Sequence, residues 1–465
     1  MTNKWKHVAL CSILTVLPLT ACSSNSNSAA GSDAASPQGK NGKTTVTVSA
    51  LKKDAFLQEA ERLFEEANPD IDIDIRGYLA TPESDNKKMV MRSLEGDKPN
   101  EADLEKFRTS VNAELMSGKG ADLIALEHLP YEKYARKHLL ARLDDWIKKD
   151  GGLKDSDYYT SIFDAVRVDG TAFALPIHYT MNATLGNTPL LEAQGIQIDD
   201  SKWTWKDMLA IGRQVVQSGG NAAAVWTGKP KADLIGDMVQ SQYSQYVSGK
   251  KAAFDTAEFT ELLEQVSDMY DKGQILETAD MSNASKDIFK SLSMQMPMNL
   301  LFMPQMMYGG KGKVYNTPAE NGNGSGISFT SNLMLGINEK SKHKEEAWKF
   351  LQFLLSEKVQ SAPWLQGFPV HKASLEKQLR QSIEALSSGR IKLQGPNGTG
   401  PSAAITEEQL QSSLALADRK ASYAAGDPTV MKIVKEEAQA FFNKTKSAKA
   451  AAGMIQNRVT TYLNE

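Results

Sequence analysis

The pattern of apolar and polar positions near the start of the folded region predicts a strand, a helix and a second strand. Residues 44–50 alternate apolar and polar side chains, which is the period of a strand with one buried face. Apolar side chains recur at helical spacing over residues 54–67, and Ile71, Ile73 and Ile75 then alternate with aspartates. Strand, helix and strand at this spacing predict a βαβ unit with parallel strands and a right-handed crossover.

Helical and buried-strand patterns continue to alternate along the rest of the chain. Residues 101–117 are helical in pattern, residues 121–126 are typical of a buried parallel strand, and residues 166–175 predict a hairpin that turns at Asp169-Gly170. Amphipathic helices are predicted at 190–195, 205–217, 258–272, 345–355, 429–442 and 448–463. The sequence therefore predicts the α/β fold class.

Length and composition restrict the class of protein. The chain has 465 residues, whereas single cores stop growing near roughly 250–300 residues, so two or three domains or two large lobes are expected. A composition of 41% hydrophobic and 23% charged residues argues against both wholesale disorder and a polytopic membrane protein. The net charge is only −3, so we expect no nucleic-acid partner.

The amino terminus has the pattern of an export signal. A short basic segment precedes an apolar stretch over residues 8–19, which is too short for a transmembrane helix. Leu19-Thr20-Ala21-Cys22 resembles the bacterial lipobox, in which the cysteine receives a lipid and becomes the mature amino terminus. The alternative is an ordinary signal peptide with a coincidental cysteine. We expect residues 1–21 to be removed and residues 22–43, rich in Ser, Asn, Ala and Gly, to form a lipidated flexible tether.

Sequence motifs of common enzymes are missing from the folded region. The two cysteines, Cys11 and Cys22, lie before it, which excludes a disulfide scaffold and a cysteine metal site there. The six histidines do not show metal-ligand spacing, and we find no GxSxG, HExxH or Walker motif. We therefore expect no enzyme, no metal and no cofactor, although a carboxylate pair for glycoside hydrolysis can be chosen from 56 acidic residues.

Several segments, taken in order, resemble the extracellular solute-binding proteins of ABC importers, the large family that includes maltose-binding and other carbohydrate-binding lipoproteins. Each motif is weak alone, but their order and spacing extend over residues 44–465. Two departures are Ala121, where the family usually has proline, and Thr184–Asn187, where an aromatic residue is missing. The segments are Phe64–Ile71, Glu114–Leu123, Asp169–Pro176, Trp203–Met208, Glu346–Leu351 and Gly367–Val370.

The resemblance implies a two-lobed periplasmic-binding-protein-like fold with three crossings between the lobes and a ligand cleft between them. We place the crossings at residues 175–179, 314–318 and 368–370. The first lobe would then combine residues 44–174 with 319–368, and the second 175–318 with 369–465. Loops at the carboxyl ends of the strands would open into the cleft.

Residues that follow strands or lie at the crossings are the candidates for ligand contact. Sugar recognition needs aromatic faces for stacking and polar partners for hydroxyl groups. The alternative for each candidate is a solvated loop position or a core side chain, as we expect for Trp203, Trp205 and Trp348. The candidates are Glu127, His128, His178, Tyr179, Trp226, Phe329 and Trp364.

Together these features predict a lipid-anchored receptor on the extracellular face of the cell membrane. We expect it to capture a sugar or oligosaccharide by hinge closure, to deliver it to the permease subunits of an ABC transporter, and to be a monomer. The alternatives are a surface carbohydrate-processing enzyme, a binding lipoprotein for a non-sugar solute such as a peptide, and a sensory co-receptor.

Lipid attachment at Cys22 can be tested by cell fractionation. Cys22→Ala should release the protein into the medium, because the acyl chains that hold it at the membrane are no longer attached. Cys11→Ala is the matched control and should stay with the membrane, since Cys11 departs with the signal segment. Retention of Cys22→Ala in the membrane fraction would show that the lipobox assignment is wrong.

Overall fold

The computed structural model describes residues 42–79, 100–219, 222, 224–278, 284–318, 326–392, 404–424 and 426–465. The predicted signal segment, Cys22 and the tether up to residue 41 lie outside the described residues. The strands in the described ranges are β1 (Thr44–Lys52), β2 (Ile71–Leu79), β3 (Leu123–Ala125), β4 (Leu175–Asn187), β5 (Trp226–Thr227), β6 (Val247–Ser248), β7 (Lys251–Ala252), β8 (Ile275–Leu276), β9 (Phe289–Met294), β10 (Gly312–Tyr315), β11 (Ile327–Ile337), β12 (Phe368–Pro369) and β13 (Ala421–Tyr423).

Helices, singly or in groups of two or three, connect many of these strands. In the same ranges they are α1 (Ala55–Ala67), α2 (Glu101–Ser117), α3 (Tyr131–Arg136), α4 (Asp144–Lys149), α5 (Thr160–Asp164), α6 (Thr188–Glu192), α7 (Trp205–Gln217), α8 (Lys231–Ser241), α9 (Tyr243–Tyr246), α10 (Ala257–Asp271), α11 (Met298–Tyr308), α12 (Lys344–Leu355), α13 (Glu357–Gln360), α14 (Lys372–Ser387), α15 (Glu407–Ala417), α16 (Pro428–Phe442) and α17 (Ala448–Asn464). None of the helices within the described ranges is both long and apolar enough to cross a membrane.

The predicted βαβ unit is confirmed. β1 and β2 are parallel neighbours, with Val46 opposite Ile73 and Val48 opposite Ile75, and α1 connects them. The Asp54 carboxylate caps α1 by accepting a hydrogen bond of 2.9 Å from the Leu57 amide. This bond satisfies one of the amide groups that a helix leaves unpaired at its start.

The predicted hairpin forms only its turn. Asp169-Gly170 has the positive φ angles, 51° and 80°, that such a turn needs, and Val168 and Thr171 exchange backbone hydrogen bonds of 3.0 Å. Strand pairing goes no further, because the Ala172 carbonyl accepts a hydrogen bond from the Leu143 amide instead.

One sheet contains the two long strands β4 and β11, which pair antiparallel. Leu175 lies opposite Leu335 at one end of the pair, and Asn182 lies opposite Ser328 at the other. Towards the first end β11 also pairs with β3, and towards the second end β4 pairs with β9 and β10 while β11 pairs with β13. The strand order is β10-β4-β11-β3-β1-β2, with β9 and β12 added to β4 and β13 added to β11.

Buried apolar side chains form two separate cores. The first core includes β1, β3, α1 and α12, and the second includes α7, α8, α10, α16 and α17. Phe302, Leu379 and Leu410 belong to the first core, although the predicted lobe division assigns their segments to the second lobe. The exact lobe boundaries therefore stay a prediction.

The segment around β12 joins the β4–β11 pair by close contacts. Phe368 pairs with Tyr179, and the buried Gln360 amide donates to the Ile177 carbonyl over 3.0 Å. Gly367 has a φ of +124°, and a Cβ there would lie 2.9 Å from the Tyr179 carbonyl oxygen. Glycine is therefore required where this segment approaches β4.

Candidate functional site

The two long strands present a polar face. Thr180 and Asn182 of β4 lie opposite Thr330 and Ser328 of β11, so their side chains share one side of the sheet. Phe329 and the other alternate residues point to the opposite side, where Phe329 is fully buried. Because of this alternation, the β4–β11 pair, which we call the ribbon, has one apolar face and one polar face.

A cavity of about 460 Å³ lies against this polar face. We call it the hinge cavity, and Asn182, Ser328 and Thr330 form one of its walls. Trp205 and Trp226 contribute an aromatic wall, with ring centroids 6.5 Å apart and planes within 9° of parallel. The cavity thus combines stacked indole rings with hydroxyl and amide groups.

Each of the two basic side chains of the hinge cavity forms an ion pair with a carboxylate. Lys290 contacts the Asp287 carboxylate over 2.6 Å, and the Thr227 hydroxyl donates to the same oxygen over 2.6 Å. Asp287 is fully buried, whereas Lys290 and Thr227 reach the cavity wall. Lys229 forms an ion pair with Asp237 in the same way. The ion pairs supply charged hydrogen-bonding groups while balancing their charge.

A second cavity, of about 370 Å³, lies between the two cores. Its wall includes Tyr131 of the first core, Tyr243 of the second, and Tyr423 at the end of β13. We call it the tyrosine cavity. Tyr423 and Ala424 are successive residues, and they line the tyrosine and hinge cavities respectively, so the end of β13 lies between the two spaces.

The carboxyl end of α17 contacts the first core beside the tyrosine cavity. The ammonium group of Lys133, on α3, lies 4.5 Å from the ring centroid of Tyr462. The Tyr462 hydroxyl donates to the Asp427 carboxylate over 2.8 Å, and Asp427 also accepts from the Thr429 amide over 2.9 Å at the start of α16. These contacts join α3 to two helices of the second core.

Two of the predicted candidates reach the cavity walls. Glu127 is half-buried on the wall of the tyrosine cavity, and its carboxylate accepts from the Met334 amide over 3.3 Å. Burial, with a smaller contribution from the nearby Asp54, raises the pKa of Glu127 to about 7. Trp226, only 4% exposed, lines the hinge cavity.

Two further candidates lie behind or beside these walls. Phe329 packs against Tyr423, with ring centroids 5.4 Å apart, and so contacts a residue of the tyrosine cavity wall without lining the cavity itself. His128 follows Glu127 but is not in the wall of either cavity, and its carbonyl accepts from Arg108 over 3.0 Å. Burial lowers the pKa of His128 to about 4.

The remaining candidates pack where β12 meets β4. Tyr179 is fully buried between Phe329 and Phe368, with ring centroids 5.5 and 5.4 Å away. The rings of His178 and Trp364 lie 4.7 and 5.3 Å from that of Phe56. Neither cavity is lined by these three candidates, and their contact with ligand stays a prediction.

The polar residues of the β4–β11 ribbon were not among the candidates. Strict alternation of Thr180, Asn182 and Thr184 with apolar residues is visible in the sequence and could have identified a polar strand face. Tyr131, Tyr243 and Tyr423 have no comparable signal, because they come together only through long-range packing. Across the described residues, no group of three or more His, Cys, Asp or Glu side chains is placed to hold a metal ion.

Residues 48–361 match the model of the bacterial extracellular solute-binding protein family. The chain belongs to this family, whose members are binding proteins rather than enzymes. The predicted family is therefore confirmed, as is the expectation that the protein is not an enzyme. A comparison with curated protein sequences finds no significant match.

Solved structures of similar fold are two-lobed binding proteins. The sugar-binding protein MalE from Xanthomonas citri is 16% identical with a TM-score of 0.58, over 90% of this chain and 98% of that one. A sugar transporter protein from Rhizobium etli in an open conformation is 13% identical with a TM-score of 0.56, over 90% and 99%. An ABC substrate-binding protein from Listeria monocytogenes in complex with cycloalternan is 16% identical with a TM-score of 0.54, over 91% and 99%. The predicted fold class is thereby confirmed.

Glu127 should make stability depend on pH. Its pKa in the folded protein, about 7, lies above its ordinary value of 4.5, so the folded state loses stability as pH rises through this window. Glu127→Gln cannot ionise at this position. The difference in free energy of unfolding between the variant and wild type should therefore shift by about 1–3 kcal/mol in favour of the variant as pH rises from 5 to 8. Urea unfolding at both pH values measures the difference.

The exposed Glu258 on α10 provides the control. Glu258→Gln is the same kind of substitution at an exposed position and should leave the pH dependence of wild-type stability in place. A constant difference between Glu127→Gln and wild type from pH 5 to 8 would contradict the raised pKa of Glu127.

Proposed function

We propose that this protein is a lipid-anchored receptor that captures a sugar or oligosaccharide and delivers it to an ABC permease. The observation that carries the sugar assignment is the hinge cavity, where a stacked tryptophan pair faces hydroxyl and amide groups. Family membership supports the extracellular binding role, and the lipobox at Leu19–Cys22 with its tether supports the anchor.

The chemistry of the hinge cavity fits a neutral polyhydroxylated solute. Each sugar hydroxyl both donates and accepts hydrogen bonds, and the cavity offers Ser291, Ser293 and Asn182 for both roles. The exposed C–H face of a sugar ring packs on an aromatic face, for which Trp226 is placed. Lys290 and Lys229 add strong donors without a net charge, since each is paired with a carboxylate.

Capture by closure is supported by the path of β4 and β11. β4 pairs with β12, whose Phe368 belongs to the first core, and with β9, whose Phe289 belongs to the second. A small change along β4 would therefore reorient one half against the other. Closure would enclose a solute held on the polar face and exclude water from its hydrogen bonds. The similar folds of sugar-binding proteins from Xanthomonas citri and Rhizobium etli are consistent with this proposal.

Isothermal titration against a panel of mono- and oligosaccharides tests the proposal directly. For the sugar that binds, Trp226→Ala should weaken affinity by about 1–3 kcal/mol through loss of aromatic contact. Trp348→Ala is the control, because Trp348 is also buried but packs in the first core. It should lower the melting temperature and leave affinity unchanged. Binding of peptides and of no carbohydrate would refute the sugar assignment.

The Asp287–Lys290 pair should determine which charge the cavity accepts. Asp287→Asn leaves the Lys290 ammonium without its carboxylate, so the cavity should favour acidic sugars. We expect glucuronate to gain roughly tenfold in affinity relative to glucose, as a charge-assisted hydrogen bond would give. Titration of both sugars measures the ratio.

Adding Lys290→Gln to Asp287→Asn is the matched control. It removes the released charge and should return the glucuronate-to-glucose ratio to the wild-type value. An unchanged ratio in Asp287→Asn itself, with the protein folded, would show that Lys290 does not contact the solute.

A further inference from the structure

The tyrosine cavity has a composition different from that of the hinge cavity. Three aromatic rings from separate parts of the chain, Tyr131, Tyr243 and Tyr423, line a space of about 370 Å³. Aromatic faces carry negative electrostatic potential and attract cations, by about 0.5–1 kcal/mol at exposed sites and about 2 kcal/mol where water is excluded. Tyr131 and Tyr243 are 6% and 8% exposed, so their rings are held in place by packing.

Glu127 shares the wall of this cavity with Tyr131 and Tyr423, and we call this part of the wall the Glu127 end. Burial, with a smaller contribution from the Glu127 charge, raises the pKa of the Tyr423 hydroxyl. Among the ion pairs of the described residues, none includes Glu127, and its charged neighbour is another acid, Asp54. A half-buried carboxyl without a positive partner favours either a proton or an incoming cation.

The basic side chains of the same wall already have partners or lie at its rim. Arg136 pairs with Glu132 over 2.8 Å and with Asp169 over 3.2 Å. Arg167 pairs with Asp144 over 2.8 Å and with Asp164 over 3.1 Å.

Elsewhere on the wall, Lys133 lies over the Tyr462 ring and is a charged neighbour of Asp427. Lys137 and Lys250 are exposed. The Glu127 end is therefore the part of the cavity that lacks a positive charge of its own.

We propose that the Glu127 end of the tyrosine cavity binds an ammonium group, with Tyr131 and Tyr423 as the aromatic walls and the Glu127 carboxylate as the counter-charge. The proposal goes beyond sugar capture and does not require it. The ammonium group has two possible sources, a free alkylammonium solute or the amino group of an amino sugar. These sources are distinguished by experiment.

Choline and its neutral isostere 3,3-dimethylbutan-1-ol test the first source, and glucosamine and glucose test the second. Isothermal titration at pH 7.5 should give choline or glucosamine at least roughly tenfold higher affinity than its neutral counterpart, the ratio that about 1.4 kcal/mol produces. Glu127→Gln should remove this preference and leave the neutral probe unaffected. Glu258→Gln, on the exposed face of α10, should leave the preference intact.

Variants of Tyr423 separate the ring from its hydroxyl group. Tyr423→Phe keeps the aromatic face and should hold choline affinity within about twofold, whereas Tyr423→Leu should lose roughly tenfold. Equal melting temperatures for the two variants exclude a general loss of folding. Equal affinities for choline in Phe and Leu variants would overturn the aromatic part of the proposal.

Choline also gives a pH readout, because its charge does not titrate. Its affinity for wild type should rise as pH increases from 5.5 to 8, since the Glu127 carboxyl has a pKa of about 7 and binds the cation in its ionised form. The other titratable groups at this end are Asp54, the adjacent His128, and Tyr131 and Tyr423 on the same wall, and burial holds the pKa of His128 at about 4, outside this window. The profile should be flat in Glu127→Gln.

The proposal is overturned if neither positively charged probe is preferred over its neutral partner, or if Glu127→Gln keeps the preference. Failure of the sugar panel, by contrast, refutes only the proposed sugar function, because choline carries no sugar.

Discussion

The antiparallel pairing of β4 with β11 is the constraint on which the rest of the structure depends. Its register, from Leu175 opposite Leu335 to Asn182 opposite Ser328, fixes which side chains share a face, since a shift of one residue would reverse every one of them. The pair also reaches both cores, because its two ends join different neighbouring strands. One set of backbone hydrogen bonds thus determines both the connection between the cores and the polar surface beside it.

The two cavities occupy different positions relative to β11. The hinge cavity lies over the polar side chains of the ribbon, whereas the tyrosine cavity involves the strands that flank β11. β3 pairs with one part of β11 and β13 with another, and Glu127 and Tyr423 stand at the ends of those two strands. The two sites are built on different edges and faces of one strand, and their charged groups differ. The lysines of the hinge cavity are paired with carboxylates, whereas Glu127 in the tyrosine cavity has no basic partner among the described residues.

Local patterns in the sequence predicted many of the helices and strands but few of the residues that line the two cavities. α2 and α7 have the predicted bounds, because amphipathic spacing and end signals are local properties. Glu127 follows a short strand and Trp226 forms part of one, and both line a cavity wall. The order of elements along the chain is enough to predict such positions. Tyr179 and His178 are buried beside β12, Trp364 packs partly buried next to them, and their contact with ligand stays a prediction. Whether a residue beside a crossing is open or covered depends on β12 and its distant partners, which no local pattern specifies.

The side-chain contact between the two cores beside the tyrosine cavity is much weaker than the pairing of β4 with β11. Strands β4 and β11 share a ladder of backbone bonds, whereas the Lys133–Tyr462 contact, which joins α3 of the first core to α17 of the second, is worth about 1 kcal/mol, and up to about 2 where water is excluded. A free energy of this size changes the closed-to-open ratio by only about five- to thirtyfold. In the proposed closure, the two halves would therefore separate while the β4–β11 pairing stays intact. A solute that adds a few kcal/mol across the cleft then determines which state is populated.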